Sequence, residues 1–325
     1  MEIVRRKFMQ MAAGAAPFLV LPRDASALDY PTRPVHMIVG FAPAGATDVA
    51  ARLIGQYLSK RLGREFVVEN RPGAGTNLAT GEVVQAPADG YTLLVFGVPA
   101  AVNATLYANL SFNFIRDIAA VAGILQVPNI MLVNLHVPAK TVPEFIAYAK
   151  AHPGKINMAT AGNGSTPHVF GELFKMMAGV DLVAVPYRSG GAALVDLLAG
   201  QMQVMFEPAT SSIEYVRAGK LRALAVTSAS RSAALPNVPT ISEFVPGYEA
   251  TAWFGVGAPK GTPAEIIEKL NRAINAGLAD PKMKAQLANL AGTPLTGSSN
   301  DFGKLIADET EKWAKVIKFA NIKAE

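Results

Sequence analysis

VHMIVGFAPAGATD (35–48) is the stretch whose reading decides the fold. Its first seven residues form an apolar, β-branched run of strand length. The loop that follows is rich in glycine, alanine and proline, and beyond it Val49, Leu53, Tyr57 and Leu58 recur at helical spacing to about Arg61. Strand, short loop and helix in that order make the unit of a parallel α/β sheet, whose ligands bind beyond the carboxyl ends of the strands. A helix that starts there offers backbone N–H groups with no intrahelical acceptor and the positive end of its dipole, so a carboxylate or phosphate is stabilised. Phe41, Ala42, Ala44, Gly45, Thr47 and Asp48 are therefore candidate ligand residues. Thr47 and Asp48 also suit a plain helix cap. No Gly-Lys-Ser/Thr follows and the GxGxxG spacing is missing, so neither a P-loop nor a dinucleotide fingerprint is present.

The same rhythm runs along the chain. Strands are expected at 66–69 and 92–97, with a turn-rich RPGAG (71–75) and a helix at 76–85 between them. At 118–134 two apolar runs are joined by Val127, Pro128 and Asn129 with no helix between, a break that suits a crossing from one lobe to another. Strands then recur at 156–161, 182–187, 203–207 and 222–227, alternating with helices at 142–151, 169–178, 192–199 and 211–218. An extended segment at 250–258 returns to the first lobe, and helices at 263–278, 281–290 and 300–319 close the chain. The expected division is a segment 1–27, a first lobe of 28–128 plus 250–325, and a second lobe of 129–249.

A second loop, AGNGSTPH (161–168), repeats the geometry of the first in the other lobe. Gly162 and Gly164 allow close backbone approach, Ser165 and Thr166 carry hydroxyls, His168 is the one histidine near a candidate site, and Pro167 suits a first helical turn. In VPYRSGGAA (185–193), Tyr187 offers a ring and a hydroxyl, and Arg188 a partner for a second carboxylate or simply a solvated charge. Glu207, at the end of QVMFE, is placed to meet an amino or hydroxyl group of a ligand or to cap the next helix.

Composition narrows the function. Half of the 325 residues are hydrophobic and 17% are charged, which suits packed domains rather than disorder. The formal charge is +5, but Arg5, Arg6, Lys7 and Arg23 stand against Glu2 and Asp24 in the first 27 residues, and no basic run is interleaved with aromatics; nucleic acid is not the expected partner. Cysteine is absent, which excludes disulfides, thiolate metal sites and a cysteine nucleophile. The basic start, the short apolar run at 9–21 and Ala25-Ser26-Ala27 read as a secretory signal peptide cleaved after Ala27, giving a periplasmic protein. RRKFM (5–9) also resembles a twin-arginine export signal, with general secretion as the alternative.

Seven segments together resemble one family: YPTRPVHMIVGFAPAGATD (30–48), VVENRPGAGTN (67–77), ADGYTLL (88–94), AGNGSTPHVFGELFK (161–175), VPYRSGGAALVDLLAGQMQVMF (185–206), GKLRALAVTS (219–228) and LPNVPTISE (235–243). These are similar to the Bug-type extracytoplasmic receptors of tripartite tricarboxylate transporters. The resemblance implies a type II periplasmic-binding-protein-like fold, two α/β lobes with a ligand cleft between them. It further implies ligand held by loop amides and ordered waters, and a monomer that passes a small carboxylate (a di- or tricarboxylate, an amino acid or an aromatic acid) to membrane permease subunits. Three positions depart from the family pattern: Ala44 stands for a second glycine, Arg188-Ser189 for Lys-Gly, and Glu207 for Asp.

Rival functions have less support. His36, His136, His152 and His168 form no metal-ligand spacing, and Ser165 with His168, three residues apart across a helix start, is poorly aimed for catalysis, so no enzyme, metal or cofactor is expected. A hydrolase or transferase on the same fold is the weakest alternative. A receptor that signals to a membrane sensor kinase uses the same ligand-driven closure and is the stronger one.

Overall fold

The opening unit folds as its pattern dictates: β1 (Val35–Val39) is almost wholly buried and runs through the loop into α1 (Ala46–Leu62), which ends on the left-handed Gly63. A computed structural model describes residues 29–43 and 45–324; the expected signal peptide and Ala44 lie outside the described residues. Next come β2 (Phe66–Asn70), a single 3-10 turn (Ala74–Thr76), α2 (Asn77–Gln85) and β3 (Thr92–Gly97). Two helices follow that periodicity did not reveal, α3 (Val98–Leu106) and the one-turn α4 (Phe114–Asp117). α3 is buried on most sides, at Val98, Ala100, Ala101, Val102, Asn103 and Leu106. A helix of that kind carries no amphipathic stripe to read.

The apolar runs at 118–134 are one strand, β4 (Ile118–Val133), of 16 residues. At the usual rise it spans roughly 50 Å. Pro128 does not break it. It marks the change of partner: residues up to Pro128 pair antiparallel with β9 (Thr251–Pro259), and from Asn129 onward the strand pairs with β7 (Val204–Pro208). The strands therefore form one continuous sheet in two parts. In the first, β2, β1 and β3 are parallel and β3 meets β9 antiparallel. In the second, β7 is parallel to β5 (Asn157–Thr160) and β5 to β6 (Val183–Pro186), while β8 (Arg222–Val226) also pairs with β4.

Four helices alternate with the strands of the second part, α5 (Val142–Ala151), α6 (Thr166–Ala178), α7 (Gly190–Leu198) and α8 (Ala209–Arg217), and the last three pack on its strands. α6, α7 and α8 each start two or three residues earlier than their apolar stripes suggest: Ser165 and Ser189 hold the N-cap positions of the first two, with Pro167 accommodated in the first turn of α6, and Pro208 precedes α8. After β9 come α9 (Ala264–Ala279), α10 (Pro281–Asn289), the two-residue β10 (Thr293–Pro294) and the long α11 (Ser299–Ala320). Ser298 and Asp301 close a capping box at the start of α11.

α11 binds the two parts together. It packs on α3 and β4 and also on α6. Its buried stripe includes Phe302, Ile306, Glu309, Trp313 and Val316. Trp313 stacks on Phe170 of α6 at 5.2 Å between ring centroids. The Nε1–H groups of Trp313 and of Trp253 on β9 both donate to Glu309 Oε2, at 2.8 and 3.1 Å. Residues 31–325 form one compact unit.

Candidate ligand site

The first loop is anchored from below. Asn70, at the end of β2, donates from Nδ2 to the Phe41 carbonyl and to Asp48 Oδ1, both at 2.9 Å, and Arg52 donates from Nε to Asp48 Oδ2 at 2.9 Å. Asp48 is 2% exposed with both oxygens engaged, so it shapes the loop from beneath. The helix cap is Gly45, not Thr47 or Asp48; these stand two and three positions further, in the first turn. That leaves the N–H groups of Ala46 and Thr47 without an intrahelical acceptor. Ala42 is exposed and Phe41 half-buried beside them.

The second loop is shaped by its glycines. Gly162 and Gly164 have φ of 95° and 77°, a conformation open to glycine and costly to other residues. Ser165 is the N-cap of α6, yet its hydroxyl donates back to the Gly162 carbonyl at 2.7 Å rather than outward. Thr166, next in line, begins the helix, and its N–H has no intrahelical acceptor. His168 is buried. Its Nδ1 accepts from the Gly164 N–H at 3.3 Å, and burial followed by the nearby Lys175 pushes its pKa down to about 4. Nε2 of His168 lies 3.8 Å from Glu172, but a ring that stays neutral above that pH makes no ion pair there.

A test of this follows. An unfolded histidine titrates near 6.5, so the neutral ring's contribution is complete above that value and is lost as the pH falls towards 4. The loss amounts to roughly 3 kcal/mol for a shift of this size. Urea melts from pH 7 to pH 4 should show His168→Gln losing less stability than the native chain. Parallel curves would mean that the ring protonates freely in the folded state. Glu172, whose carboxyl burial pushes up, changes stability in the opposite direction, which is why the difference between the two chains is the quantity to measure.

Both loops converge on a cluster that sequence reasoning did not single out. Gly40, Phe41 and Thr76 line one small void of about 10 Å³. Asn103 of α3 donates from Nδ2 to the Gly75 carbonyl at 2.5 Å and to Asn77 Oδ1 at 3.1 Å. From the other side, a Cβ placed on Gly164 would stand 2.7 Å from Leu106 and 3.2 Å from Val102, both on α3. The turn at 74–76 is strained, with Ala74 and Thr76 at φ of 47° and 82°, and strain held in a loop is a pointer to function. The glycines of RPGAG were the available signal, but only α3 shows what they pack against.

Four buried side-chain atoms have no hydrogen-bond partner among the described residues: Asn77 Nδ2, Asn129 Oδ1, Thr160 Oγ1 and Glu207 Oε2. Buried polar atoms are normally paired with protein, water or ligand. Three of them sit at or beside element ends: Asn77 opens α2, Thr160 closes β5 directly before the second loop, and Glu207 precedes the last residue of β7; Asn129 lies within β4 at its change of partner. Tyr187 and Arg188 stand beyond β6. The Tyr187 hydroxyl donates to Asp196 at 2.6 Å, and burial with that carboxylate raises its pKa to about 12, so only its ring is free to meet a ligand. Arg188 is exposed and makes no ion pair among the described residues. A separate cavity of about 410 Å³, between α4, Lys260 and the first turn of α11, shares no residue with either loop.

Two helix starts thus lie on separate parts of one sheet, each led by a glycine-rich loop. Residues 50–322 match the description "Tripartite tricarboxylate transporter family receptor". The chain belongs to that family. Protein BugT of Bordetella pertussis is 37% identical over 314 residues, covering 96% of this chain and 94% of BugT. A solved structure of R. palustris Rpa4515 with adipate superposes with a TM-score of 0.83 at 38% identity, covering 91% of this chain and 99% of that one. MatC (Rpa3494) from Rhodopseudomonas palustris with bound malate gives 0.79 at 32% identity, covering 89% and 100%. As a receptor of this family the chain has the two-lobed α/β fold of periplasmic binding proteins. The departures at residues 188–189 acquire a local reason within the family fold: Ser189 caps α7, its Oγ accepting from the Ala192 N–H at 3.2 Å.

Proposed function

We propose that this receptor captures a small carboxylate in the periplasm and delivers it to membrane permease subunits, without catalysing a reaction. The ligand carboxylate is held between the first-turn N–H groups of α1 (Ala46, Thr47) and the start of α6 (Ser165, Thr166). Phe41, Ala42, Ala44, Gly45, Gly162 and Gly164 give the backbone its approach. The observation that carries this reading is the convergence of both loops on α3 and the 74–76 turn. The lobes divide at 128 and 250, with 28–128 plus 250–325 forming one and 129–249 the other, so that β4 and the entry to β9 are the crossing segments. Residues 1–27 are the export signal, and the receptor works as a monomer. The adipate and malate held by its relatives support a carboxylate ligand here.

A thermal-shift screen tests the proposal. A ligand at 100 times its Kd stabilises the folded state by about 2.7 kcal/mol, which for a chain of this size is a readily measured rise in Tm. Aliphatic carboxylates should raise the Tm, and neutral sugars of similar size should not. The reverse pattern would exclude a carboxylate site.

A further inference from the structure

The cavity of about 410 Å³ between α4, Lys260 and the start of α11 is built differently from the cleft. Its floor is apolar, made by Phe114 of α4, Ile118, Ala119 and Ala120 at the start of β4, and Ile306 of α11. That floor is preformed. Ile118, Ala119 and Ala120 pair with Pro259, Ala258 and Gly257 of β9, and the Phe114 ring packs edge-on against Phe96 at 4.9 Å. Ile115 stands at the rim, 45% exposed. The rim holds one charge, the ammonium of Lys260, beside Ser299 and Asn300, and no acid is among the described residues that line the cavity. Lys260 is exposed, and its side chain makes no ion pair among the described residues. Gly303, in the second turn of α11, also faces this space. A Cβ there would meet only the Ala120 Cβ, at 3.7 Å, an ordinary contact, so packing does not demand glycine; at Gly255, by comparison, it would stand 2.1 Å from Phe302. Inside a helix glycine is less stable than alanine, and here its effect is to leave the cavity open.

We propose that this cavity is a second binding site, separate from the carboxylate cleft, for an amphipathic monocarboxylate. The aliphatic chain lies over Ile118 and Ile306, and the carboxylate meets Lys260. The volume falls in the range of small-molecule sites, about 300 to 1,000 Å³. A single unopposed cation calls for a single anionic group, and a charge-assisted hydrogen bond from the ammonium fixes its place. The apolar floor calls for a chain rather than a second polar end, because a polar end set against it would lose its hydration without gaining a bond. Each methylene laid there gains from leaving water. The site is also remote from the two loops. Ala120 and Pro128 are eight residues apart along β4, roughly 25 Å, and the cavity lies at the end of the strand away from its change of partner. Occupancy here is therefore additional to capture of a ligand in the cleft.

The test is titration of the whole receptor with octanoate, followed by its isoleucine methyl resonances. Octanoate should shift the methyls of Ile115, Ile118 and Ile306 and leave those of Ile213 and Ile241, in the second part of the sheet, in place. Its affinity should exceed that of 1-octanol and that of butanoate by about tenfold or more, equivalent to about 1.4 kcal/mol. Lys260→Met should abolish the preference over octanol, and Gly303→Leu, which fills the cavity, should weaken octanoate at least as much. Gly303→Ala separates binding from folding: it should raise the Tm and still weaken octanoate a few-fold. Gly164→Val, which acts on the cleft, should leave octanoate affinity unchanged. Octanol bound as tightly as octanoate, or octanoate affinity untouched by both Lys260→Met and Gly303→Leu, would overturn the site. So would octanoate binding lost in Gly164→Val, which would put the probe in the cleft, or the absence of any shift at Ile115, Ile118 and Ile306 up to the solubility of octanoate.

Discussion

Replacing Trp313 with alanine should lower the stability of the receptor by about 3 to 5 kcal/mol, the range for a large aromatic removed from a packed interior. Trp313 is completely buried, stacks on Phe170 of α6, and donates to Glu309, which is itself 8% exposed. The substitution removes ring contacts between α11 and the second part of the sheet. It also leaves a buried carboxylate with one indole donor, that of Trp253, alongside its ion pair with Lys312. Urea unfolding gives the number directly, provided the slope with denaturant is unchanged. Trp313→Phe keeps a ring and loses only the N–H, and should cost about 1 to 2 kcal/mol. An alanine variant that loses less than about 1.5 kcal/mol would show that α11 does not hold the two parts together through this residue.

The second large effect is on binding. Gly164→Val should weaken ligand affinity by roughly 30- to 700-fold, equivalent to about 2 to 4 kcal/mol, because two costs fall on the bound arrangement. A β-branched residue is a poor fit at a φ of 77°, and its Cβ would stand 2.7 Å from Leu106 and 3.2 Å from Val102. The second loop and α3 belong to different parts of the sheet, so the clash holds the loops apart. Gly219→Val serves as control: it has a similar φ of 66° with no atom within 4 Å of its would-be Cβ, and it isolates the backbone cost from the clash. Equal affinity of Gly164→Val and the native receptor for a carboxylate would show that the cleft does not close on α3.

Much of this architecture was legible in local pattern. The strands at 35–39, 66–70 and 92–97 and the loops that end them follow from runs of β-branched residues broken by glycine and proline, information carried within a few residues. The proline between two apolar runs at 128 was also readable; the chain passes it as a single strand, which changes its pairing partner there. α3 was not readable. Apolar on most sides, it has no period to distinguish it from a buried connection, yet the second loop rests against it and Phe41 shares a void with its first turn.

By itself, then, the sequence determined the alternating α/β plan, the two glycine-rich loops at helix starts, and membership of a receptor family. Only the tertiary structure decided which polar groups in those loops remain available. Asp48 is engaged by Arg52 and Asn70, Tyr187 by Asp196, Ser165 by its own loop and His168 by Gly164, whereas Glu207 keeps one oxygen unpaired. The physical reason is that burial and hydrogen-bond saturation arise largely from groups brought together by folding, and residue spacing does not encode which partner arrives first.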